Sequence, residues 1–474
     1  GVSSATKTQT VVIDYSAPNV AKEMHVGHLR STVIGDAIVR MLEFVGHKVI
    51  RENHIGDWGT PFGMLIEHLI DLGETEAANE LSVGDLDSFY KQARTKFDAD
   101  ESFKERARAR VVLLQGGDAE TLRMWKLLVG ESTRYFDRVY RSLDVLLTAD
   151  DIMGESAYNH LLAQVVERLD AAKMLETSDG AEVVFVDGFV NRDNEPLPLI
   201  IRKTDGGYNY ATSDLACVID RVERLGATVI LYIVGAPQAQ HLEMVGVVSR
   251  KAGWVPETTQ MVHVAFGNVL GSDRKILKSR SGEVVKLDAL LTEAVERAKD
   301  AVRAKNPDWS DAQHSAIAKQ VGIGAIKYAD LSTDRIKDYV FDWERMLSFD
   351  GNTSPYLQYA HARICSIFRK AGVDRASVRG VTPLVEHEAE RALVLRLLQF
   401  DTAVLDTLDK YSPHRLCTYL YDLASEFSAF YEHCPVMLAE NDAQRTSRLA
   451  LCDFTARVMS QGLALLGIET PEQM

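Results

Sequence analysis

Two histidines three residues apart, His25 and His28, stand where an apolar, β-branched run ("VVIDY", Val11 to Tyr15) gives way to apolar residues at helical spacing ("LRSTVIGDAIVRMLEFVG"). The first run has the form of a buried parallel strand and the second that of an amphipathic helix, so both imidazoles fall at or near a helix N-terminus. Free backbone N–H groups and the positive end of the helix dipole favour phosphate there. Gly27, between the two, lets a flat ring come against the backbone. A polyphosphate nucleotide suits this arrangement, although a bare His-x-x-His pair reads equally as a structural or surface feature until its flanks are considered.

The flanks carry more. "HVGH" resembles the HIGH signature of class I aminoacyl-tRNA synthetases, and "DYSAPNVAKEMHVGHLRST" resembles the form it takes in arginyl-tRNA synthetases. The likeness continues through "RENHIGDWGTPFGMLIEHL", "VGIGAIKYADLS", "FDWERMLSFDGNTSPYLQYAHARI" and the closing "LGIETPEQM", and so covers nearly all of the chain. It implies that His25 and His28 bind ATP and stabilise charge building on the phosphates while an amino acid is adenylated, with Gly27 against the adenine. The loop corresponding to the second signature, KMSKS, is "ILKSRSGEVV", which keeps Lys278, Ser279 and Arg280 but lacks the usual second lysine. Lys22, three residues before His25, is expected to reach the phosphates in its place; read alone it is a solvated loop lysine.

Arginine presents a planar, permanently charged guanidinium, best held by bidentate carboxylates. The resemblance assigns that task to Asp14 and Asp214, with Tyr210 supplying a ring and a hydroxyl, and assigns the amino and carboxylate ends of the substrate to Asn19 and Gln238. Taken singly, each acid reads as a helix cap or surface charge, and Asp214 has the look of an N-cap. His54, Asp57 and His241 are expected along the same crevice, whereas Trp58 reads as readily as packing. Tyr356, Tyr359, Tyr431 and Met474 match positions that contact or shape the anticodon site of the family. Aromatic rings suit splayed bases, though an aromatic stripe on a helix also describes a core. His361 and Arg363 face either phosphate or solvent.

These elements must be positioned by a fold, and 474 residues suffice for about three domains. Strands alternating with helices in the first third imply a parallel sheet with crossover helices. The expected architecture is an α/β Rossmann-type catalytic domain of the class I synthetase kind, carrying a helical insertion and followed by an all-α helical-bundle anticodon-binding domain. Its expected divisions are a lead or tag remnant (1–9), the first half of the catalytic domain (10–73), a mostly helical insertion (74–180), the second half with the KMSKS-like loop and connecting helices (181–350), and four long helices (351–474). The family's additional N-terminal domain is expected to have no counterpart within 1–9.

Composition sets the remaining bounds. The 53 basic and 68 acidic residues leave a net charge of −15, the wrong sign for gripping nucleic acid by bulk attraction, so local motifs must carry RNA binding. Five scattered cysteines without CxxC spacing read as buried small hydrophobes, and no structural metal is expected. With neither a signal peptide nor an apolar run of membrane-spanning length, the expected compartment is the cytoplasm, with no membrane partner. The expected reaction is the ATP-dependent ligation of L-arginine to tRNA(Arg), with Mg2+ entering on ATP, no tightly bound cofactor, a monomeric enzyme and a first step dependent on bound tRNA. Two other readings stay open: a paralogue that transfers an amino acid to a small guanidino metabolite, and a catalytically silent tRNA-binding protein.

Overall fold

The computed structural model describes residues 2–73, 86–191, 193–278 and 284–474. Strand β1 (Thr10–Asp14) lies inside a four-stranded parallel sheet and is apolar on both faces, with Val11, Val12 and Ile13 at most 1% exposed. It pairs on one side with β2 (Lys48–Glu52), Asp14 opposite Glu52. A three-stranded antiparallel satellite, β3 (Glu176–Ser178), β4 (Ala181–Val190) and β5 (Pro196–Arg202), contains the hairpin that the sequence suggests; β3 begins before residue 180, so this sheet straddles the expected end of the insertion. Strand β6 (Val229–Tyr232) pairs with the other side of β1, and β7 (Gln260–His263) follows outside it, giving the order β2-β1-β6-β7. Strand order reverses between β1 and β6, and the crevice beyond their carboxyl ends is where ligands collect in such sheets.

Helix α1 (Val26–Phe44) follows β1 and is buried along nearly its whole length. Its Gly35 rests on Tyr15 so closely that a Cβ would come within 2.4 Å of the ring. Helix α2 (Thr60–Leu72) packs in the same way on the helix Glu101–Gln115, where a Cβ on Gly63 would meet the Ala107 carbonyl at 2.1 Å. The other long helices of the expected insertion are Leu86–Ala99 and Ala119–Leu143.

Beyond residue 350 the chain is helical, but in five helices rather than four: Ser354–Ala371, Glu388–Leu398, Phe400–Asp409, His414–His433 and Asp442–Leu465. The break in the second segment falls at Gln399. There the Arg396 carbonyl accepts from the Gln399 N–H at 3.1 Å and the Tyr419 hydroxyl at 3.0 Å, a tightened turn that ends the α-helical ladder. All five cysteines are buried and unpaired.

Lys327, on the helix Asp311–Leu331, is fully buried where four parts of the chain meet. Its ammonium donates to the Leu143 and Asp144 carbonyls at 2.7 and 3.2 Å, cations being favoured at the C-terminus of a helix. Asp36 of α1 acts on it electrostatically, and a Cβ on Gly467 of the closing segment would come within 2.6 Å of its Nζ. Burial, partly offset by Asp36, pushes this lysine down to about 8. Replacing it by methionine takes the donor from the Leu143 carbonyl, while Asp36 and the Asp144 carbonyl keep Arg40. Lys327→Met is therefore expected to cost about 1–3 kcal/mol, read as a lower calorimetric unfolding temperature; an unchanged temperature would deny the junction its importance.

Candidate active site

The segment joining β1 to α1 holds three non-glycine residues in left-handed conformation, Ser16 (φ 73°), Ala17 (φ 46°) and Ala21 (φ 58°). Such backbone is strained and persists only where its surroundings over-determine it. Here they do. The Ser16 N–H donates to Ser31 Oγ, Ala17 N–H to Asn53 Oδ1 and Ala21 N–H to Ser132 Oγ, at 2.9, 3.0 and 2.9 Å.

The strained segment delivers His25 as the N-cap of α1. Its Nδ1 accepts from the Gly27 N–H at 3.0 Å, and the His28 Nδ1 accepts from the His25 N–H at 3.1 Å. With both Nδ1 atoms acting as acceptors, the neutral rings carry their protons on Nε2, so each imidazole offers one N–H donor away from the helix. Burial pushes His28 down to about 3, helped by the neighbouring His25, and burial also lowers His25. The pair is thus uncharged at neutral pH and acts by donation together with the helix dipole. Gly27 has a nearer duty than adenine contact: a Cβ there would lie 2.8 Å from the His25 ring.

The two signature regions are joined by backbone. Val26 N–H donates to the Val285 carbonyl at 3.0 Å, Leu287 N–H to the Met24 carbonyl at 2.8 Å, and Lys286 pairs with Glu23 at 2.6 Å. Lys278 is exposed and bridges to Val284, while Ser279 and Arg280 lie outside the described residues. Lys22 rests its ammonium 4.3 Å over the Tyr90 ring, and its charge acts on both histidines.

Asp14 ends β1 beside Arg221, which is itself fully buried and bonded to Asp14 Oδ2 at 2.8 Å and Glu52 Oε2 at 2.6 Å. The other oxygen of Asp14, Oδ1, is buried with no partner. Asp214 is not an N-cap: Asn209 caps the helix Tyr210–Glu223, and Asp214 accepts from His241 Nε2. The His241 ring lies 4.8 Å from that of Tyr210, which is 61% exposed. His54 donates from Nδ1 to the Met153 carbonyl at 3.0 Å, with Cys217 Sγ 3.8 Å from the same nitrogen. Asn19 and Gln238 are exposed, Asn19 against Gly56.

Other expectations need correcting. Asp57 is 3% exposed and accepts from the Ser156 N–H and hydroxyl at 2.9 and 2.6 Å, so it holds a loop rather than reaching into the crevice. Trp58 packs edge-on against Trp125, in line with its packing reading, whereas His361 faces neither phosphate nor solvent but is buried, bonding the Pro471 carbonyl. The sequence reading passed over Glu155, Cys217 and Arg221. Helical spacing holds a signal for two of them, because Asp214, Cys217 and Arg221 stand at i, i+3 and i+7 on one face. Glu155, in an irregular stretch, has none.

A second cleft of about 430 Å³ in the C-terminal bundle is lined by Tyr359, Arg363, Lys370, Tyr431 and Met474 among others. The Arg363 guanidinium sits 4.4 Å over Tyr431, and the Lys305 ammonium 5.1 Å from Tyr359. Tyr356 is not part of its walls and instead packs against Tyr421, 5.8 Å away. The cleft sets aromatic faces beside cations, the combination that single-stranded RNA requires.

A parallel sheet with its switch point, an HxGH-capped helix bonded to a lysine-bearing loop and an appended helical bundle define a class I aminoacyl-tRNA synthetase. The family model described as tRNA synthetases class I (R), catalytic domain, matches residues 2–343, and the DALR anticodon binding domain matches 357–474. The arginine–tRNA ligase of Thermobifida fusca is 57% identical over 468 residues, covering 99% of this chain and 81% of that protein. That of Klebsiella pneumoniae is 51% identical with the same coverage. Among solved structures, arginyl-tRNA synthetase from Plasmodium falciparum superposes with a TM-score of 0.85 at 32% identity, over 99% of this chain and 78% of that one. Its Thermus thermophilus counterpart gives 0.82 at 26%, over 100% and 84%. The chain belongs to the arginyl-tRNA synthetase family.

His28→Ala removes one N–H donor and the bond that orders His25. The expected result is a loss of turnover of about 10²–10³-fold with the Michaelis constant for arginine little altered, measured by steady-state kinetics. Full turnover in this variant would remove the pair from the chemistry.

Proposed function

We propose that this chain activates L-arginine with ATP and transfers it to the 3′-terminal ribose of tRNA(Arg), giving arginyl-tRNA, AMP and pyrophosphate. The observation that carries this reading is the convergence, outside β1 and β6, of acids on a pocket edged by Tyr210: Asp14 with its unpartnered Oδ1, Asp214, and Glu155, whose charge is felt by both His54 and Asp214. That surplus of negative charge suits a guanidinium. In the first step the arginine carboxylate attacks the α-phosphate of ATP, which enters with Mg2+, and pyrophosphate departs. His25 and His28 donate from Nε2 to the phosphate oxygens, and Lys22, leaving Tyr90, adds its charge with Lys278, Ser279 and Arg280 of the loop. Asn19 and Gln238 orient the amino acid. The ribose hydroxyl then attacks the acyl carbon and AMP leaves.

In this reading 10–73 and 181–350 form the catalytic domain, 74–180 the insertion and 351–474 the RNA-reading bundle. Tyr359, Tyr431 and Met474 offer the surface for anticodon bases, Tyr356 shaping it from behind. We further propose a monomer that works in the cytoplasm and needs bound tRNA for its first step. No helix among the described residues is long and apolar enough to cross a membrane. Transfer to a small guanidino metabolite, the other enzymatic reading open to the sequence, has no observation in its favour. Aminoacylation of total bacterial tRNA with each of the twenty labelled amino acids tests the proposal; arginine alone should be accepted, and absence of charging would refute it.

Burial, reinforced by Asp57 and Asp214 and opposed by His54, pushes Glu155 up to about 7. Below that pH the free enzyme holds Glu155 neutral, and arginine must expel a proton to gain its negative charge. The Michaelis constant for arginine is therefore expected to rise as pH falls through about 7, approaching tenfold per unit. In Glu155→Gln the constant should be higher and this limb flat. A wild-type constant independent of pH between 6 and 8 would exclude Glu155 from the pocket.

A further inference from the structure

One nitrogen of His54, a carboxylate oxygen of Asp214 and the sulfur of Cys217 all lie within 4.8 Å of one another, on the wall of the pocket assigned to arginine. The Cys217 Sγ to His54 Nδ1 distance is 3.8 Å. Two ligand atoms on one tetrahedral zinc, with Zn–N near 2.0 Å and Zn–S near 2.3 Å, stand about 3.5 Å apart, so only small side-chain adjustments separate this cluster from a coordination sphere. The donor set is also selective. A thiolate beside an imidazole favours zinc-like ions over magnesium or calcium, which demand oxygen. Charge favours occupation too, because Asp14, Glu52 and Asp214 outnumber Arg221 and the imidazolium of His54.

We propose that His54, Asp214 and Cys217 form a coordination site for a thiophilic divalent cation of the zinc class, which excludes arginine from the pocket. This inference rests on the reading of that pocket as the arginine site. The Cys217 thiol releases a proton to solvent as the metal–sulfur bond forms; His54, held as an imidazolium against burial by the neighbouring Cys217, Asp14 and Asp214, releases its Nδ1 proton and its bond to the Met153 carbonyl as the metal–nitrogen bond forms, and keeps the proton on Nε2. Three protein ligands leave a fourth position for water, so the bound ion is exchangeable. Asp214 serves either cation, guanidinium or metal, but not both together. Arginine activation is then inhibited by zinc in competition with the amino acid.

The test is a titration of the full chain, without arginine, using cobalt(II) as the probe and the thiolate-to-cobalt charge-transfer band as the readout. One equivalent should generate the band, Cys217→Ser should abolish it, and His54→Gln should weaken binding at least about tenfold. Circular dichroism of both variants certifies that each remains folded. Saturating arginine should displace the cobalt, and zinc should raise the Michaelis constant for arginine in proportion to its concentration while leaving kcat unchanged. Absence of a thiolate band, or its persistence in Cys217→Ser, overturns the metal site. A band that depends on Cys217 yet ignores saturating arginine upholds the metal site and overturns the placement of arginine.

Discussion

The buried guanidinium of Arg221 is the contact on which the catalytic half of the molecule turns. It draws together Asp14 at the end of β1, Glu52 at the end of β2 and the helix that also carries Asp214, so one side chain fixes the first half of the sheet against the second. Two carboxylates facing one cation in a dry interior are poorly balanced, and desolvation on that scale commonly outweighs the attraction gained. Asp14 Oδ1, Glu52 Oε1 and Arg221 Nη1 are all buried without partners. An apolar trio would pack at least as stably. What it would lack is the residual negative charge buried at the carboxyl ends of β1 and β2, the property that the proposed guanidinium site needs.

A pocket proposed to attract guanidinium groups must avoid being closed by its own arginine. Arg221 approaches Asp14 from the helix side and takes Oδ2, its flank covered by the Tyr232 ring 5.1 Å away, so Oδ1 is left. The same economy governs the histidines. Each Nδ1 is consumed by a backbone N–H at the start of α1, that of Gly27 or of the N-cap His25, which fixes the tautomer and turns each Nε2 proton outward. Protein contacts thus use up one half of each functional group and orient the other. The strained segment from Ser16 to Ala21 is the corresponding cost in backbone conformation, held down by hydrogen bonds from α1 and the insertion.

Much of this frame can be read in the sequence, because its signals are local. The apolar run of β1, the helical periodicity of α1 and the Gly27 between two histidines each follow from residues a few positions apart. The break at Gln399 cannot be read that way, since its cause includes the hydroxyl of Tyr419, twenty residues onward. In the site, His25 and His28 announce themselves by spacing. Asp57 misleads by lying in a polar, glycine-rich loop, although its oxygens are already satisfied by Ser156. Glu155 is hidden for the opposite reason: it comes from an irregular stretch with no period and gains its character only from burial beside Asp57 and Asp214.

The charge of the whole chain points away from RNA, and the proposed reading of the bundle cleft reconciles the two locally. In the cleft the Arg363 guanidinium is seated on Tyr431, and behind the wall residue Tyr359 the Lys305 ammonium lies 3.2 Å over Phe349. An exposed cation–π contact contributes only about 0.5–1 kcal/mol, less than the roughly 1–3 kcal/mol of a base stacked on an aromatic ring. A base arriving at Tyr431 therefore gains by displacing the guanidinium, which is freed to meet the phosphate that follows. Such a cleft binds through short-range stacking joined to a few local charges, and a net charge of −15 then acts mainly to discourage nucleic acid that cannot present its bases.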